Sequence, residues 1–276
     1  MVYDHCAALS LVFVSQHPFH SGLKGELKTF RFFLFLVGRQ RYNASSNLEI
    51  ILNRDCPSQT SIGKKVLMAL TGLMLSGFIV GHLLGNLTIF AGRDLINSYA
   101  FHLEELKPLV WAARITLLIL VIIHILTAIC ITIKNKKARP VNYAKKENQT
   151  TSAGARTMAI TGTVILAFII FHLMHFTWRI THPEISNSID ANGHRDVFKM
   201  VVLSFQQPLL AFGYIAALTL LFLHLSHGLW SLFQSLGLLG ERTLPIAKKI
   251  ACAASFVLYL AYVSIPLACF FGLVKI

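Results

Sequence analysis

The sequence predicts an all-α membrane protein, a five-transmembrane-helix bundle with its N-terminus in the cytoplasm. Three observations carry that reading. Of the 276 residues, 55% are hydrophobic and only 13% charged, and the mean hydropathy is +0.62. A soluble domain carries about 25% charged residues, so composition excludes a soluble enzyme, and disorder, which needs low hydrophobicity, is excluded with it. Five stretches, 66–90, 109–133, 157–178, 208–233 and 250–273, reach the roughly 20 apolar residues of a bilayer crossing. Finally, Lys and Arg are distributed unequally between the alternate connections, as the positive-inside rule requires.

Residues 1–60 are an N-terminal extension of uncertain structure, preceding a transmembrane domain over 61–276. Their apolar runs, Leu9–Val14 and Phe30–Val37, are too short to span, and no small-residue cleavage site follows a signal-peptide pattern. The first span follows, with Gly77, Gly81 and Gly85 at four-residue spacing around His82. That ladder suits close helix packing and equally suits admission of a flat group. The second span carries His124 and, near its start, Arg114, the one acidic or basic residue within the spans, placed to snorkel. The third holds His172 and His175, the fourth His224 and His227 with Gly228 one turn beyond His224, and the fifth no histidine. No window alternates like a barrel strand, so the spans are helices.

The connections set the orientation. Segments 1–65, 134–156 and 237–249 hold eight, seven and three Lys/Arg, eighteen in all, against seven on the alternate side. Acids divide six and six, leaving net +12 on the inner side and +1 on the outer. The basic excess is a topology signal, and also a surface for anionic lipid or an acidic partner; nucleic acid is not expected. The five cysteines form no CxxC, CxxCH or zinc spacing, which argues against a disulfide framework, a c-type haem and a zinc site.

Six of the twelve histidines fall inside spans. Ionisable residues in a bilayer are rare and face the bundle interior, usually with a function. At ~1.5 Å per residue, His82 and His172 lie ~22–24 Å from the inner surface, and His124 and His224 lie the same distance from the outer surface. One imidazole per helix thus pairs with another at each of two depths. Zinc would take three or four ligands, and no carboxylate or thiol completes such a set; copper held by histidines alone at two levels is poorly supported. A b-type haem fits better, with two axial ligands, an apolar ring suited to a helix bundle and propionates for a polar margin. Two such groups would make an electron path, with quinone as the mobile partner in the lipid. His175 and His227 sit three residues beyond His172 and His224, on a shared face. Spacing alone leaves the choice within each pair open, the other role being a hydrogen bond behind the ligand or a propionate contact. His102, His182 and His194, in outer connections, are expected to be solvated, and His5, His17 and His20 belong to the extension.

Three stretches carry a family resemblance: TSIGKKVLMALTGLMLSGFIVGHLLGNL from Thr60, HFTW from His175 and HLSHGLWSLFQSLG from His224. They resemble the single-chain, five-helix, di-haem cytochrome b membrane anchor of succinate dehydrogenase/fumarate reductase, over about residues 60–276. The resemblance implies ligation of an outer haem by His82 and His172 and of an inner haem by His124 and His224, with His175 and His227 the alternatives. It implies docking of an iron–sulfur subunit and a flavoprotein on the cytoplasmic face, with the dicarboxylate chemistry on that flavoprotein. It further implies electron exchange with menaquinone or ubiquinone in a bacterial cytoplasmic membrane. The family's membrane glutamate has no counterpart in any span, so the quinone site stays unassigned. Arg156, at the start of the third span, is either a propionate partner or an ordinary positive-inside residue.

Two other readings compete. One is the di-haem subunit of another quinone-linked enzyme, such as a hydrogenase, formate dehydrogenase or nitrate reductase, to be told apart by its co-purifying partners. The other is a haem-free proton-coupled transporter with a histidine relay. Inverted repeats or broken helices would favour the transporter, and no internal repeat is expected here.

Overall fold

The computed structural model describes residues 60–137, 153–191 and 193–276, with the side chains of 136, 137 and 153–156 excepted. The N-terminal extension, the middle of the basic connection after the second span, and the Arg156 side chain lie outside the described residues.

Helix α1 (Ser61–Leu87) starts where Thr60, in extended conformation, accepts the Gly63 N–H on its side chain at 2.9 Å, satisfying one of the free donors of the first turn. It ends in a 3-10 turn (Thr88–Ala91) and Gly92, whose φ of 105° turns the chain sharply into α2 (Arg93–Glu105). Helix α3 (Lys107–Lys137) returns through the bundle. Helix α4 (Ala153–His172) widens into a π-helical turn over Leu173–Thr177, closed by Arg179 at a φ of 58°. The short α5 (Pro183–Ser186) and α6 (Val197–Gln206) follow. The last two long helices, α7 (Pro208–Ser235) and α8 (Leu244–Phe270), each open with proline in the first turn, where its missing N–H costs nothing.

Among the described residues, five helices are long and apolar enough to cross a membrane, within Ser61–Ala91, Lys107–Asn135, Thr157–Thr177, Pro208–Ser235 and Leu244–Phe270. This is the helical, multi-pass architecture that the composition predicts. Helix α7 is the hub: it packs on α1, α4 and α8, while α3 leans on α1. Large apolar side chains on the outside of α1 and α3, among them Phe78, Ile115, Leu118 and Ile119, are exposed, as lipid-facing positions are. Hydroxyls bridge the long helices. Tyr262 donates to the Ile79 carbonyl at 2.6 Å, joining α8 to α1, and the Thr219 and Tyr259 hydroxyls meet at 3.2 Å, joining α7 to α8.

The most tightly packed apolar cluster lies at one end rather than at mid-height. Ile89, Ile96, Phe198, Val202, Phe205, Tyr214 and Cys269 meet where α2 and α6 cover the ends of α1, α7 and α8. This end is called the cap and the opposite one the base. The cap is tied by Asp196, a fully buried carboxylate. It pairs with Arg93, accepts from the Asn97 side chain at 3.1 Å, and caps α6 by accepting the Lys199 N–H at 3.1 Å. Asn97 in turn accepts the Phe198 N–H at 3.0 Å. Burial pushes the Asp196 carboxyl upward, but its hydrogen bonds from Lys199, Asn97 and Arg93 and the Arg93 charge outweigh that and hold it below the ordinary carboxylate value.

Three expectations are corrected. His182 and His194 are not simply solvated: the His182 side chain is only 21% exposed, and His194 stacks on Phe101 with ring centroids 4.0 Å apart. The connections fold into helices that cover them, and nothing in their mixed composition announced this. Of these three histidines, His102 is the one open to solvent, beside Glu105 at 3.2 Å. Cys130 and Cys252 are disulfide-bonded, although their isolated positions suggested no bridge, whereas Cys269 is a buried free thiol. The third correction, an internal repeat, emerges with the site.

Candidate functional site

The six histidines of the spans separate into two groups. At the cap end, α1 and α4 bring His82 and His172 together, ring centroids 5.8 Å apart and planes at 89°. His82 is flanked on its own helix by Phe78, stacked at 5.4 Å and 17°. His172 sits among Phe168, Phe176 and Tyr214 at 5.5–6.0 Å, and its Nδ1 is buried with no hydrogen-bond partner among the described residues. The two imidazoles meet edge to face, one from each helix.

His175 behaves differently. The π-helical turn that follows His172 adds a residue to the helical turn, and such bulges often sit at functional sites. His175 is fully buried, with Nδ1 at 2.9 Å from the Tyr214 hydroxyl, its ring stacked on Phe176 at 4.1 Å and His182 5.6 Å away. It is turned towards α7 and the cap. Its Nε2 is buried, again without a partner among the described residues.

Towards the base, His124 on α3 and His224 on α7 lie within electrostatic reach of one another. Each is held by a threonine of a neighbouring helix. His124 Nδ1 is 3.0 Å from Thr71 Oγ1 on α1, and His224 Nδ1 is 3.2 Å from Thr161 Oγ1 on α4. The residue after each threonine is glycine, and a Cβ added to Gly72 or Gly162 would lie 3.5 Å from Cε1 of His124 or His224 respectively. His227 points elsewhere, edge-on to Trp230 at 4.9 Å, and Lys248 lies over the same indole at 4.7 Å.

The glycine ladder of α1 divides by role. A Cβ on Gly85 would fall 2.7 Å from the Tyr99 hydroxyl, so this glycine lets α2 lie against α1. At Gly77 and Gly81 such a Cβ would have no atom of the described residues within 4 Å, so packing between these helices does not require them. They leave bare backbone beside His82.

Thr71, Gly72, Thr161 and Gly162 are the site residues that sequence reasoning missed, and the signal was present. Residues 69–82, ALTGLMLSGFIVGH, align without gaps on 159–172, AITGTVILAFIIFH, sharing Ala, Thr, Gly, Phe, Ile and His at equivalent positions. Each threonine stands eleven residues before its helix's cap-end histidine. This corrects the expectation of no internal repeat; the larger residues Leu166, Ala167 and Phe171 where α1 has Ser76, Gly77 and Gly81 hide the likeness. The repeat is parallel, since both spans run from base to cap, and so differs from the inverted kind.

The described fold and site therefore define a helical protein with five candidate membrane spans and two interhelical histidine pairs at different heights. Comparison with protein-family models, with curated proteins and with solved structures found no match.

Proposed function

We propose that the chain is a di-haem cytochrome b membrane anchor of a succinate:quinone oxidoreductase, carrying electrons between an iron–sulfur subunit and a quinone in the lipid. The observation that carries the reading is the facing of His82 and His172 at 5.8 Å with perpendicular rings, matched by a second pair, His124 and His224, nearer the other end. Two imidazoles bound to opposite faces of one iron through bonds of about 2 Å sit with ring centroids roughly 6 Å apart, so the first pair fits a bis-histidine haem. The bare backbone at Gly77 and Gly81 leaves room for a flat ring beside His82, and Phe168 and Phe176 supply an apolar surround.

When bound, two b-type haems supply reversible one-electron carriers at two heights of the bilayer. This chain's own residues do the rest. His82, His172, His124 and His224 would supply the imidazole nitrogens that hold the iron, and Phe78, Phe168 and Phe176 line the cap-end pair. His175 takes the position behind the cap-end ligand pair, its Nδ1 engaged with Tyr214. His227 lies with Trp230 and Lys248 at the base rim, a polar margin suited to carboxylates. The positive-inside count assigns the base to the cytoplasm, where the basic connections would face an iron–sulfur protein and a flavoprotein, in a bacterial inner membrane.

The test is expression of the full chain with ample haem supply, followed by a pyridine haemochrome assay per mole of purified protein. Two low-spin b haems are expected, with a flavoprotein and an iron–sulfur protein co-purifying under mild detergent. A colourless protein refutes the reading, and a molybdenum- or nickel-containing partner redirects it to another quinone-linked enzyme.

A further inference from the structure

We propose that Thr71 and Thr161 are twin positioning residues that lock His124 and His224 into the tautomer bearing hydrogen on Nδ1, leaving Nε2 of each ring as the free donor atom. The inference rests on the proposed haem function for its purpose, but its geometry stands on the hydroxyl protons alone.

A threonine hydroxyl has one proton and two acceptor lone pairs. Thr71 directs its proton back along α1, to the carbonyls of Leu67 at 2.9 Å and Met68 at 3.1 Å. Thr161 does the same on α4, towards Thr157 at 3.1 Å and Met158 at 3.2 Å. With each proton assigned to a carbonyl of its own helix, the oxygen meets the imidazole as acceptor. The ring nitrogens 3.0 and 3.2 Å away must then donate, which places the hydrogen on Nδ1 of both His124 and His224. The partner of one ring nitrogen decides what the other can do, and here it leaves both Nε2 atoms with a free lone pair.

A simple helix-to-helix tie would need only the hydroxyl. Gly72 and Gly162 adjoin the rings in the same way: a Cβ at either would stand 3.5 Å from Cε1, an ordinary contact, so each ring lies close against its helix backbone at the same place in both halves. The duplication of donor, acceptor, glycine and contact distance across the repeat is what a twofold-related ligand pair requires. The cap-end pair lacks this device, since Nδ1 of His172 has no partner among the described residues. Tautomer control is therefore built into the base-end pair specifically.

The test uses the full chain in detergent with 15N-labelled histidine, and the variants Thr71→Val, which keeps shape and loses the hydroxyl, and Thr71→Ser, which restores it. The nitrogen shifts of His124 and His224 should report hydrogen on Nδ1 in the native chain. Thr71→Val should abolish that preference for His124 alone, and Thr71→Ser should retain it. In a His172→Ala background, where only the base-end pair can ligate, Thr71→Val should loosen haem about tenfold, the lower range for loss of a partner behind a metal ligand, and Thr71→Ser should recover it. Hydrogen on Nε2 in the native chain, or unchanged shifts and haem affinity in Thr71→Val, overturns the inference even if two haems bind. A colourless native chain overturns the proposed function instead, and the nitrogen shifts still decide the tautomer.

Discussion

Removing the carboxylate of Asp196 should loosen the cap without disturbing the spans, and the size of the effect follows from its partners. Asp196→Ala deletes the N-cap of α6, about 1 kcal/mol. It deletes the ion pair with Arg93, whose side chain is 45% exposed, so solvent screening limits that part to about 1 kcal/mol. It also leaves the buried Asn97 amide without its acceptor at 3.1 Å, a further 1–2 kcal/mol or so. The sum, about 3–4 kcal/mol, corresponds to opening of the cap several hundredfold more often, at about 1.4 kcal/mol per tenfold. Amide hydrogen exchange at Phe198 and Lys199 reads that opening directly. Asp196→Asn keeps an oxygen for the Lys199 N–H and the Asn97 amide but loses the charge and the acceptor for Arg93, so roughly a tenfold increase is expected. Glu104→Ala, which removes the exposed partner of Arg195 at 3.2 Å, should change exchange less than threefold. If Asp196→Ala exchanged no faster than Glu104→Ala, or if Asp196→Asn matched Asp196→Ala, the assignment of the cap's stability to this carboxylate would be wrong. The pH dependence has a definite sign. A carboxyl held below its ordinary value in the folded state contributes stability that is complete above about pH 4 and is lost as pH falls through the folded-state value. After correction for the intrinsic exchange rate, which itself falls in acid, the opening at Lys199 should therefore rise as pH falls in the native chain and change little further in Asp196→Ala.

Under the proposed function, Ala at His82 or His172 should remove one haem and Ala at His124 or His224 the other, each counted by pyridine haemochrome. His175→Ala and His227→Ala should keep both; loss of a haem in His175→Ala with retention in His172→Ala would reverse the choice within that pair. A Cβ at Gly81 meets no atom of the described residues within 4 Å, so Gly81→Leu should leave the fold and its melting intact while excluding the haem beside His82, whereas an unchanged haem content would show that this face is lipid-lined only. Gly85→Leu should instead lower thermal stability through its clash with Tyr99, and a Tyr99→Ala second change should recover much of it. Measurement of melting by circular dichroism in one detergent separates these two glycines. The nitrogen-shift test of Thr71→Val adds the fourth expectation.

Much of this protein is legible in the order of its residues, because a bilayer imposes one rule that a linear sequence displays openly. Backbone groups in lipid must bond within their own helix, so uninterrupted apolar length is sufficient to locate the five spans, and rise per residue converts position into depth. That arithmetic puts His82 level with His172, and the two rings lie in edge-to-face contact with centroids 5.8 Å apart. Spacing leaves His172 and His175 equivalent; what it does not show is the π-helical turn that directs His175 to Tyr214, because turn geometry leaves no periodic trace. The connections were equally opaque. Helices α2 and α6 acquire their order from Asp196, Arg93 and Asn97, residues about a hundred positions apart, and no local pattern encodes such a meeting. The Thr–Gly repeat was written in the chain, yet only the packing of α1 on α3 and of α4 on α7 gave it meaning. The sequence by itself determined what enters the membrane and at what height each histidine lies, since hydrophobicity and helical rise are local properties. The tertiary structure alone decided which nitrogen faces which hydroxyl, because rotation of a helix about its axis is set by its neighbours.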